Sequence, residues 1–588
     1  MSIDAIQGEA ARDQGPRARR PAVMGTRHVA AAGHPLAAQA AMQVLEAGGN
    51  AVDAGCAAGI ALGVVHSDMV SFAGVAPIMV YLARTREVIT IDGVGPWPRT
   101  ATLDYFRERW GGEIPAGVAR TVIPAAPDAW LTALERFGTM SLGEVAAAAT
   151  RFAREGFPLS EFSARIIRAH EADYRRWPSS AAIYLPGGRP PEAGERFVQA
   201  DLARTLQYLA DEERAAAAQG RAAGLQAARE AFYQGDVART IARYHAEHGG
   251  PLTREDLAGY RVSLEPPCRV TFRDLEVAAC GFFCQGPVLL QTLNLLEPID
   301  LAALGPGTPR YLHVLVEALK LAYADREAYY GDPRVVPVPA QGLLTKTYAD
   351  LRRSLLDPEK AYSEMPPPGD PAAGHAVREG WTGPVGASTT GRSRYLDTSY
   401  VAVVDAEGNA FSATPSDFSS DTPVIPGTGL AVSSRGSQGW LDPAHPSVVA
   451  PGKRPRLTPN PAMAFRDGRL FLAFGTPGGD VQCQAMLQVF LNLVVFGMAP
   501  QEAVEAPRVA TVSFPDSFWP HRYFPGRLNA EARIGAETLA ELARLGHRVE
   551  RWPEWEWRAG AVCLVMVDQA GVRHGAADPR RASYAIGW

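Results

Sequence analysis

The order of apolar and polar positions near the N-terminus predicts a strand followed by two helices. The run His28–Gly33 is short and almost wholly apolar, which is typical of a buried strand. A helix is expected from Pro35 to the glycine pair at 48–49, because proline suits a first helical turn and glycine tolerates a left-handed cap. Asn50 is a suitable cap for a second helix over residues 51–65. That segment is apolar on every side, so we expect it in a buried central layer.

The C-terminal third has the pattern of strands joined by tight turns. The apolar runs Thr398–Asp405 and Ala410–Thr414 are separated by a turn, and Asp467-Gly468 divides a hairpin over residues 463–475. A helix is expected from the glycine pair at 478–479 to about residue 496. Continuous apolar strands beside apolar helices indicate sheets that are buried on both faces. The predicted fold class is therefore α/β, as a four-layer αββα sandwich.

The middle of the chain is expected to be helical and to end in a linker. Residues 120–250 are rich in helix formers, and the charged stretch within them is interpreted as a solvated helix face. His245 and His248 lie near a helix end, but two ligands alone do not make a metal site. The segment 364–394 contains three consecutive prolines and many small polar residues, which predicts a flexible linker.

Composition and charge narrow the classes of function. The 588 residues are 47% hydrophobic and 21% charged, as in a globular protein, and the net charge is −5. A nucleic-acid surface needs clustered Lys and Arg, so no nucleic-acid partner is expected. We find neither a signal-like apolar core nor a run of about 18 apolar residues, so a cytoplasmic location without a membrane partner is expected. The six cysteines indicate no disulfide framework, and no metal or cofactor is expected.

Motifs of the common hydrolases and nucleotide-binding proteins are absent. There is no G-x-S-x-G and no H-E-x-x-H, and Gly452-Lys453 is followed by Arg454 where a phosphate-binding loop would have Ser or Thr. The informative stretch runs from Asp397 to Asn409. Taken alone, it indicates only a strand and a turn after a linker.

This stretch resembles the nucleophile strand of the γ-glutamyltranspeptidase family, which belongs to the N-terminal nucleophile hydrolases. The usual form in that family is D-T-T-H-x-x-V-V-D-x-x-G-N-A, and this chain has D-T-S-Y-V-A-V-V-D-A-E-G-N-A. Further blocks resemble the family in the expected order, at residues 34–40, 47–54, 232–235, 252–260, 451–455, 475–480 and 577–580. Each block is weak alone, but their order and spacing across residues 27–588 are specific.

The resemblance implies that Thr398 is the nucleophile of an amidohydrolase and that the chain cuts itself between Asp397 and Thr398. The cut would free an α-amine, which titrates at roughly 7.7–8.0 and can serve as the base for the adjacent hydroxyl. The implied parts are a disordered tail (1–25), a large subunit (26–363), a linker (364–397) and a small subunit (398–588). The two subunits would form a heterodimer, and a homo-oligomer of that heterodimer is left open.

Two further catalytic elements follow from the resemblance. The family places its oxyanion hole at the pair that matches Gly478-Gly479, where N–H groups at a helix start can meet negative charge. The alternative is an ordinary strand-to-helix turn. Ser416 matches the family's hydroxyl residue that bonds to the nucleophile, and its alternative role is that of a loop serine.

Several positions depart from the transpeptidases. Val94 stands where the family has an arginine that holds the γ-glutamyl group, and Phe418 replaces an asparagine. Gln438 is neutral where an acid is expected. These changes remove partners of a glutamyl amine and carboxylate, and a buried ammonium without an acceptor is costly.

The expected substrate is therefore a small amide that carries a carboxylate, as oxamate does. Arg435 is the expected carboxylate partner, because a guanidinium suits a carboxylate, although it could also be a surface loop arginine. Gln438, Arg456 and Thr458 are the other expected substrate-binding residues. The stretches 412–416, 423–426 and 455–458 resemble the oxamate amidohydrolase branch of the family. Two alternatives stay open, a γ-glutamyltransferase or glutathione hydrolase and a non-catalytic binding protein with this fold.

Overall fold

The computed structural model describes residues 18–381, 383 and 398–588. Asp397 and residues 384–396 of the expected linker lie outside the described residues, so the linker prediction is untested there. None of the helices in the described ranges is long and apolar enough to cross a membrane.

The described residues form 21 strands, which we number in chain order. They are β1 Val23–Gly25, β2 Val29–Ala32, β3 Ile78–Leu82, β4 Glu87–Ile91, β5 Phe157–Pro158, β6 Arg196–Phe197, β7 Leu264–Glu265, β8 Cys268–Phe272, β9 Leu275–Ala279, β10 Val401–Val404, β11 Ala410–Ala413, β12 Val424–Ile425, β13 Leu430–Ala431, β14 Ala462–Arg466, β15 Arg469–Gly475, β16 Val509–Thr511, β17 Arg527–Glu531, β18 Arg548–Trp552, β19 Cys563–Val567, β20 Arg573–Ala577 and β21 Tyr584–Gly587.

The same residues contain 21 α-helices. They are α1 Pro35–Glu46, α2 Ala51–Val65, α3 Leu103–Trp110, α4 Ala126–Phe137, α5 Leu142–Val145, α6 Ala147–Glu155, α7 Glu161–Ala169, α8 Glu171–Arg175, α9 Pro178–Tyr184, α10 Ala200–Ala216, α11 Arg221–Tyr233, α12 Asp236–Glu247, α13 Arg254–Ala258, α14 Gly286–Leu296, α15 Leu301–Leu304, α16 Pro309–Tyr329, α17 Ala340–Leu343, α18 Lys346–Arg353, α19 Gln482–Val494, α20 Pro500–Glu505 and α21 Ala536–Arg544.

Two seven-stranded antiparallel sheets form the centre of the molecule. The first has the strand order β1-β20-β19-β15-β14-β9-β8, and the second has β21-β2-β10-β11-β3-β4-β7. Side chains of β10 alternate between two cores: Val401 and Val403 pack with α2, while Ala402 and Val404 pack against the other sheet. Each sheet therefore has one helix-covered face and one face against its partner sheet. This confirms the predicted αββα sandwich.

The first helical layer agrees closely with its prediction. In α1 the His34 ring accepts a hydrogen bond from the backbone N–H of Leu36. In α2 the side chains of Asn50 and Asp53 form a reciprocal capping box. Every residue of α2 is buried, which confirms that it belongs to a central layer.

The expectations for the N-terminal tail and for the linker both need adjustment. The disorder expected for residues 1–25 does not extend to its end, because β1 pairs with β20 and fills the edge of the first sheet. The described part of the expected linker is also held to the body: the Gly369 N–H donates to Asp325 at 3.0 Å. Arg352 donates to the carbonyl of Ala376 at 2.6 Å.

Candidate active site

Thr398 and Ser416 lie opposite each other just beyond the β10–β11 ladder, at the end away from the turn that joins the two strands. Val401 pairs with Ala413 in that ladder, and the same register continued outward brings Thr398 opposite Ser416. Their hydroxyl oxygens are 2.8 Å apart, and both residues are fully buried. Ser416 is also held by backbone hydrogen bonds to Val75 in both directions. The sequence-predicted nucleophile and its hydroxyl partner are therefore in hydrogen-bond contact.

Arg435 is the cation beside this hydroxyl pair. It begins the 3₁₀ turn Arg435–Gln438, is buried, and donates a short hydrogen bond to the hydroxyl of Ser416. Its Nε lies 3.7 Å from a carboxylate oxygen of Asp417. The interpretation of Arg435 as a surface loop residue is therefore wrong.

Asp417 was not singled out from the sequence, yet it organises this part of the site. Its carboxylate accepts from the Ser433 hydroxyl and from both the N–H and hydroxyl of Ser434, each at 2.8 Å. Burial raises the pKa of Asp417, while Arg435 and the serine donors oppose the rise. Its φ of +138° is uncommon for a residue with a side chain, which fits a position held by several contacts.

The other end of the 3₁₀ turn leads to the glycine pair. Gln438 donates to the Thr458 hydroxyl at 3.1 Å. Gln285 donates to the carbonyl oxygens of Thr458 at 3.0 Å and Gly479 at 2.8 Å. The predicted residues Gln438, Thr458 and Gly479 thus belong to one hydrogen-bonded group, which is joined by a residue that sequence reasoning missed.

The glycine pair forms a sharp turn between β15 and α19. Gly478 has φ +130° and Gly479 has φ +56°, and both values favour glycine. The helix expected to begin at this pair instead begins at Gln482, because Gly479–Val481 forms a 3₁₀ turn first. The outer N–H groups of such a start have no partner within the helix.

Arg456, the other arginine predicted to bind substrate, and the nearby Arg454 have carboxylate partners within the protein. Arg456 pairs with Glu327 at 2.9 Å and donates to the carbonyl of Arg326. Arg454 contacts Asp92 and Asp332, each at 2.8 Å. Both arginines are also buried. The structure therefore shows them as members of internal ion pairs and not as lining residues of an open pocket.

Two of the positions that differ from the transpeptidases carry buried apolar side chains. Val94 is buried in the core between the two sheets. Phe418 is also buried, with its ring 4.9 Å from that of His170. Neither side chain offers a polar group to a substrate amine or carboxylate.

Close backbone approaches near the nucleophile explain two glycines. A Cβ on Gly74 would lie 2.2 Å from the Ser416 carbonyl oxygen, and one on Gly33 would lie 2.0 Å from the Ser399 hydroxyl. Ser399 also lies 3.3 Å from His66, whose pKa burial holds well below its ordinary value. The sequence shows both glycines, but no local pattern shows which residues approach them.

One group of metal-type ligands converges elsewhere in the described residues. His313, Glu317 and His547 are buried together, with 2.9 Å between the two imidazoles. Glu317 is already paired with Lys320 at 2.7 Å, so its charge is balanced within the protein. His245, one of the two histidines noted in the sequence, is buried at the end of α12, where burial lowers its pKa to about 3.

Comparison with known proteins assigns the family. The family model for gamma-glutamyltranspeptidase matches residues 37–588. The chain belongs to the γ-glutamyltranspeptidase family. It is accordingly a hydrolase of the N-terminal nucleophile type that acts on amide bonds, as the resemblance implied.

Relatives of this family member carry different activities in their names. The present chain is 34% identical to the acylase ACY 1 proenzyme of Pseudomonas sp. (strain V22), and the alignment covers 95% of this chain and 93% of that protein. The chain is 29% identical to the oxamate amidohydrolase proenzyme of Klebsiella pneumoniae subsp. pneumoniae, and the alignment covers 96% of this chain and 99% of that protein. The cephalosporin acylase structure from Bacillus halodurans superposes with a TM-score of 0.84 at 28% identity, covering 98% of each chain.

Proposed function

We propose that this protein is a self-processing threonine amidohydrolase with Thr398 as its nucleophile. The observation that carries the proposal is the 2.8 Å contact between the Thr398 and Ser416 hydroxyls at the start of the small subunit. A cut between Asp397 and Thr398 would give Thr398 a free α-amine. That amine can take the hydroxyl proton as the oxygen attacks the amide carbon.

The rest of the reaction follows from the chemistry of an amide. Attack gives a tetrahedral oxyanion, which the backbone N–H groups at Gly478-Gly479 would stabilise. The protonated α-amine then returns its proton to the leaving nitrogen as the C–N bond breaks. Water hydrolyses the resulting ester on Thr398 and releases the carboxylic acid. No metal or cofactor enters this sequence of steps.

We assign the substrate class to small amides that carry a carboxylate, with oxamate-like amides as the type. Arg435 supports the assignment because its guanidinium contacts Ser416, the hydroxyl partner of Thr398. Asp417 is the nearby acid, but its carboxylate already accepts three hydrogen bonds from Ser433 and Ser434 and lies beside the Arg435 guanidinium. A substrate ammonium would therefore find little remaining negative charge or acceptor capacity there. Gln438 ends the 3₁₀ turn that Arg435 begins, and it donates to the Thr458 hydroxyl at 3.1 Å, so we assign these two residues to the rest of the substrate.

A γ-glutamyl amide is the second candidate, and family membership favours it. The buried apolar side chains of Val94 and Phe418 disfavour it, because neither can hold the charged groups of a glutamyl unit. The acylase names among the relatives also make a larger acyl group a reasonable comparison substrate.

The experiment is an amine-release assay with an oxamate-like amide, a γ-glutamyl anilide and a neutral acyl amide. We expect the highest kcat/KM for the acidic amide. Arg435→Ala should lower kcat/KM for that substrate by about 30-fold or more, since truncating one member of a buried charge pair costs roughly 2–5 kcal/mol.

Ser416→Ala is the control, because it removes the shared contact to Thr398 and leaves the guanidinium in place. It should slow acidic and neutral amides equally. If Arg435→Ala also slows both substrates equally, Arg435 acts only through Ser416. A preference of the wild type for γ-glutamyl anilide would replace the assigned substrate class.

A further inference from the structure

The Gly478-Gly479 turn has no side chains of its own with which to hold its shape. Both glycines have positive φ values, and a Cβ on Gly478 would approach no neighbour closer than 3.5 Å. Neither glycine therefore contributes a side-chain contact that could fix the turn. The orientation of its N–H groups must come from contacts made by neighbouring backbone and by the residue that follows, Asp480.

Gln285 provides the first of these contacts. Its side-chain amide donates to the carbonyl oxygens of Gly479 at 2.8 Å and Thr458 at 3.0 Å. The side-chain oxygen of Gln285 accepts a hydrogen bond from Arg326 at 3.2 Å. A guanidinium can only donate and a backbone carbonyl can only accept, so this arrangement admits one orientation of the Gln285 amide.

Asp480 provides the second contact. Its carboxylate accepts from the N–H of Ser517 at 2.7 Å and from the Ser517 hydroxyl at 2.6 Å. The same carboxylate forms a short ion pair with Arg326. One nitrogen of Arg326 thus contacts both Gln285 and Asp480, which hold the turn from its two sides.

Gln285 and Arg326 come from a different part of the chain than the turn. Gln285 and Arg326 precede Thr398, in the expected large subunit, while Gly478, Gly479 and Asp480 follow it. Gln285 and Arg326 are buried. A hydrogen bond in such surroundings restricts the peptide planes more strongly than one exposed to water.

We propose that Gln285 and Arg326 are positioning residues, which orient the Gly478-Gly479 N–H groups for the oxyanion across the boundary between the two fragments. This inference rests on the proposed function, because it assumes the oxyanion forms at this turn. It adds a catalytic dependence of the small subunit on two specific residues of the large one. Neither residue touches the substrate in this account.

The test replaces Gln285 with methionine, which has similar length and no donor. Gln291→Met is the matched control: Gln291 is also buried, lies on α14, the helix that directly follows Gln285, and donates to Asp325 at 3.0 Å. Fully cleaved samples are compared, so that maturation does not enter the rates. We expect Gln285→Met to lower kcat about 10- to 100-fold and to change KM by no more than about threefold. This decrease in kcat is smaller than the one expected when an oxyanion-hole donor is removed completely. Gln291→Met should keep the wild-type kcat.

A second measurement separates positioning from general loss of structure. A boronic acid that forms a tetrahedral adduct with the Thr398 hydroxyl mimics the intermediate, whereas the carboxylic acid product mimics the ground state. In Gln285→Met, boronate affinity should fall in parallel with kcat/KM while product affinity and the pH profile stay the same. Ser517→Ala, which weakens the anchor of Asp480 from the other side, should give a smaller effect of the same kind and serves if Gln285→Met does not fold.

The outcomes are distinguishable from failure of the proposed function. A cleaved wild type that releases no amine from any amide overturns the proposed function and this inference together. An active wild type in which Gln285→Met and Gln291→Met behave alike overturns the positioning role alone. So does a Gln285→Met enzyme whose boronate and product affinities fall equally.

Discussion

Ser416 lies between two groups that differ in their hydrogen-bonding capacity. Arg435 can only donate, so the Ser416 oxygen must accept from it. Ser416 keeps its own proton, and its hydroxyl can donate that proton to the Thr398 oxygen, 2.8 Å away. A donor aimed at the nucleophile favours the build-up of negative charge on its oxygen during attack. The contact is therefore expected to affect the rate more than the stability of the protein.

Ser416→Ala tests this role at the residue scale. A hydrogen bond to a group that becomes charged contributes about 1.5–3 kcal/mol, so kcat/KM should fall roughly 10- to 100-fold. Ser412→Ala is the control, since Ser412 is equally buried and its hydroxyl bonds at 2.6 Å to that of Tyr400, the residue before β10. Steady-state kinetics on cleaved enzyme measure both. Equal losses in the two variants would contradict the assigned role of Ser416.

The turn before α19 makes a prediction at the scale of an element. Gly479→Val should strain the backbone at φ +56° and displace the neighbouring N–H donors, and losing one such donor costs about 10²–10³ in rate. Gly468→Val is the matched control, because Gly468 has φ +71° in the β14–β15 hairpin turn. Both variants should lose stability in thermal unfolding. Near-normal turnover in Gly479→Val would place the oxyanion elsewhere.

Helix α16 carries a buried charge that should make stability depend on pH. Glu327 pairs with Arg326 at 2.7 Å and Arg456 at 2.9 Å. Burial alone raises the pKa of Glu327, but the two arginines outweigh it and hold that pKa well below its usual range. A depressed carboxyl pKa stabilises the fold above the unfolded value of about 4.3, and the stabilisation is lost as pH falls below that value.

Glu327→Gln should therefore cost about 3–5 kcal/mol at pH 7, as expected for breaking a buried ion pair. Its cost should be smaller near pH 4, because the wild type has begun to lose the same contribution. Urea unfolding at the two pH values measures the difference. Glu541→Gln, which removes an exposed pair with Arg544, should change little at either pH. An equal cost of Glu327→Gln at both pH values would contradict the linkage.

Local signals predicted the elements better than the contacts between them. The cap at Asn50 and the apolar composition of α2 were sufficient, because both act within a few residues. The Thr398–Ser416 contact followed from a family motif, and the strand register explains it. The contact between Gln285 and Gly479 spans 194 positions, and no local pattern reports such a pairing. Arg456 shows the same limit, since only the fold places Glu327 beside it.

At the scale of the whole molecule, strands of the two expected subunits are interleaved in both of the central sheets. Strands β10 and β11 follow Thr398, yet they lie between β2 and β3, which precede it. In the other sheet, β14, β15, β19 and β20 stand between the early strands β1 and β9. A cut before Thr398 would therefore fall outside every strand that the structure describes. Association of the fragments would depend on the full core and not on a separable interface.

This arrangement predicts how the mature protein should behave. Under denaturing conditions it should resolve into fragments 1–397 and 398–588, whereas in native size-exclusion chromatography the fragments should elute together. Thr398→Ala should stay whole and inactive, because it lacks the hydroxyl that attacks the preceding peptide bond. Thr398→Ser keeps a hydroxyl and should still cut, which separates the loss of chemistry from a misfolded junction. Intact mass and N-terminal sequencing locate the cut. A new N-terminus other than Thr398, or full activity in an uncut sample, would show that another residue is the nucleophile.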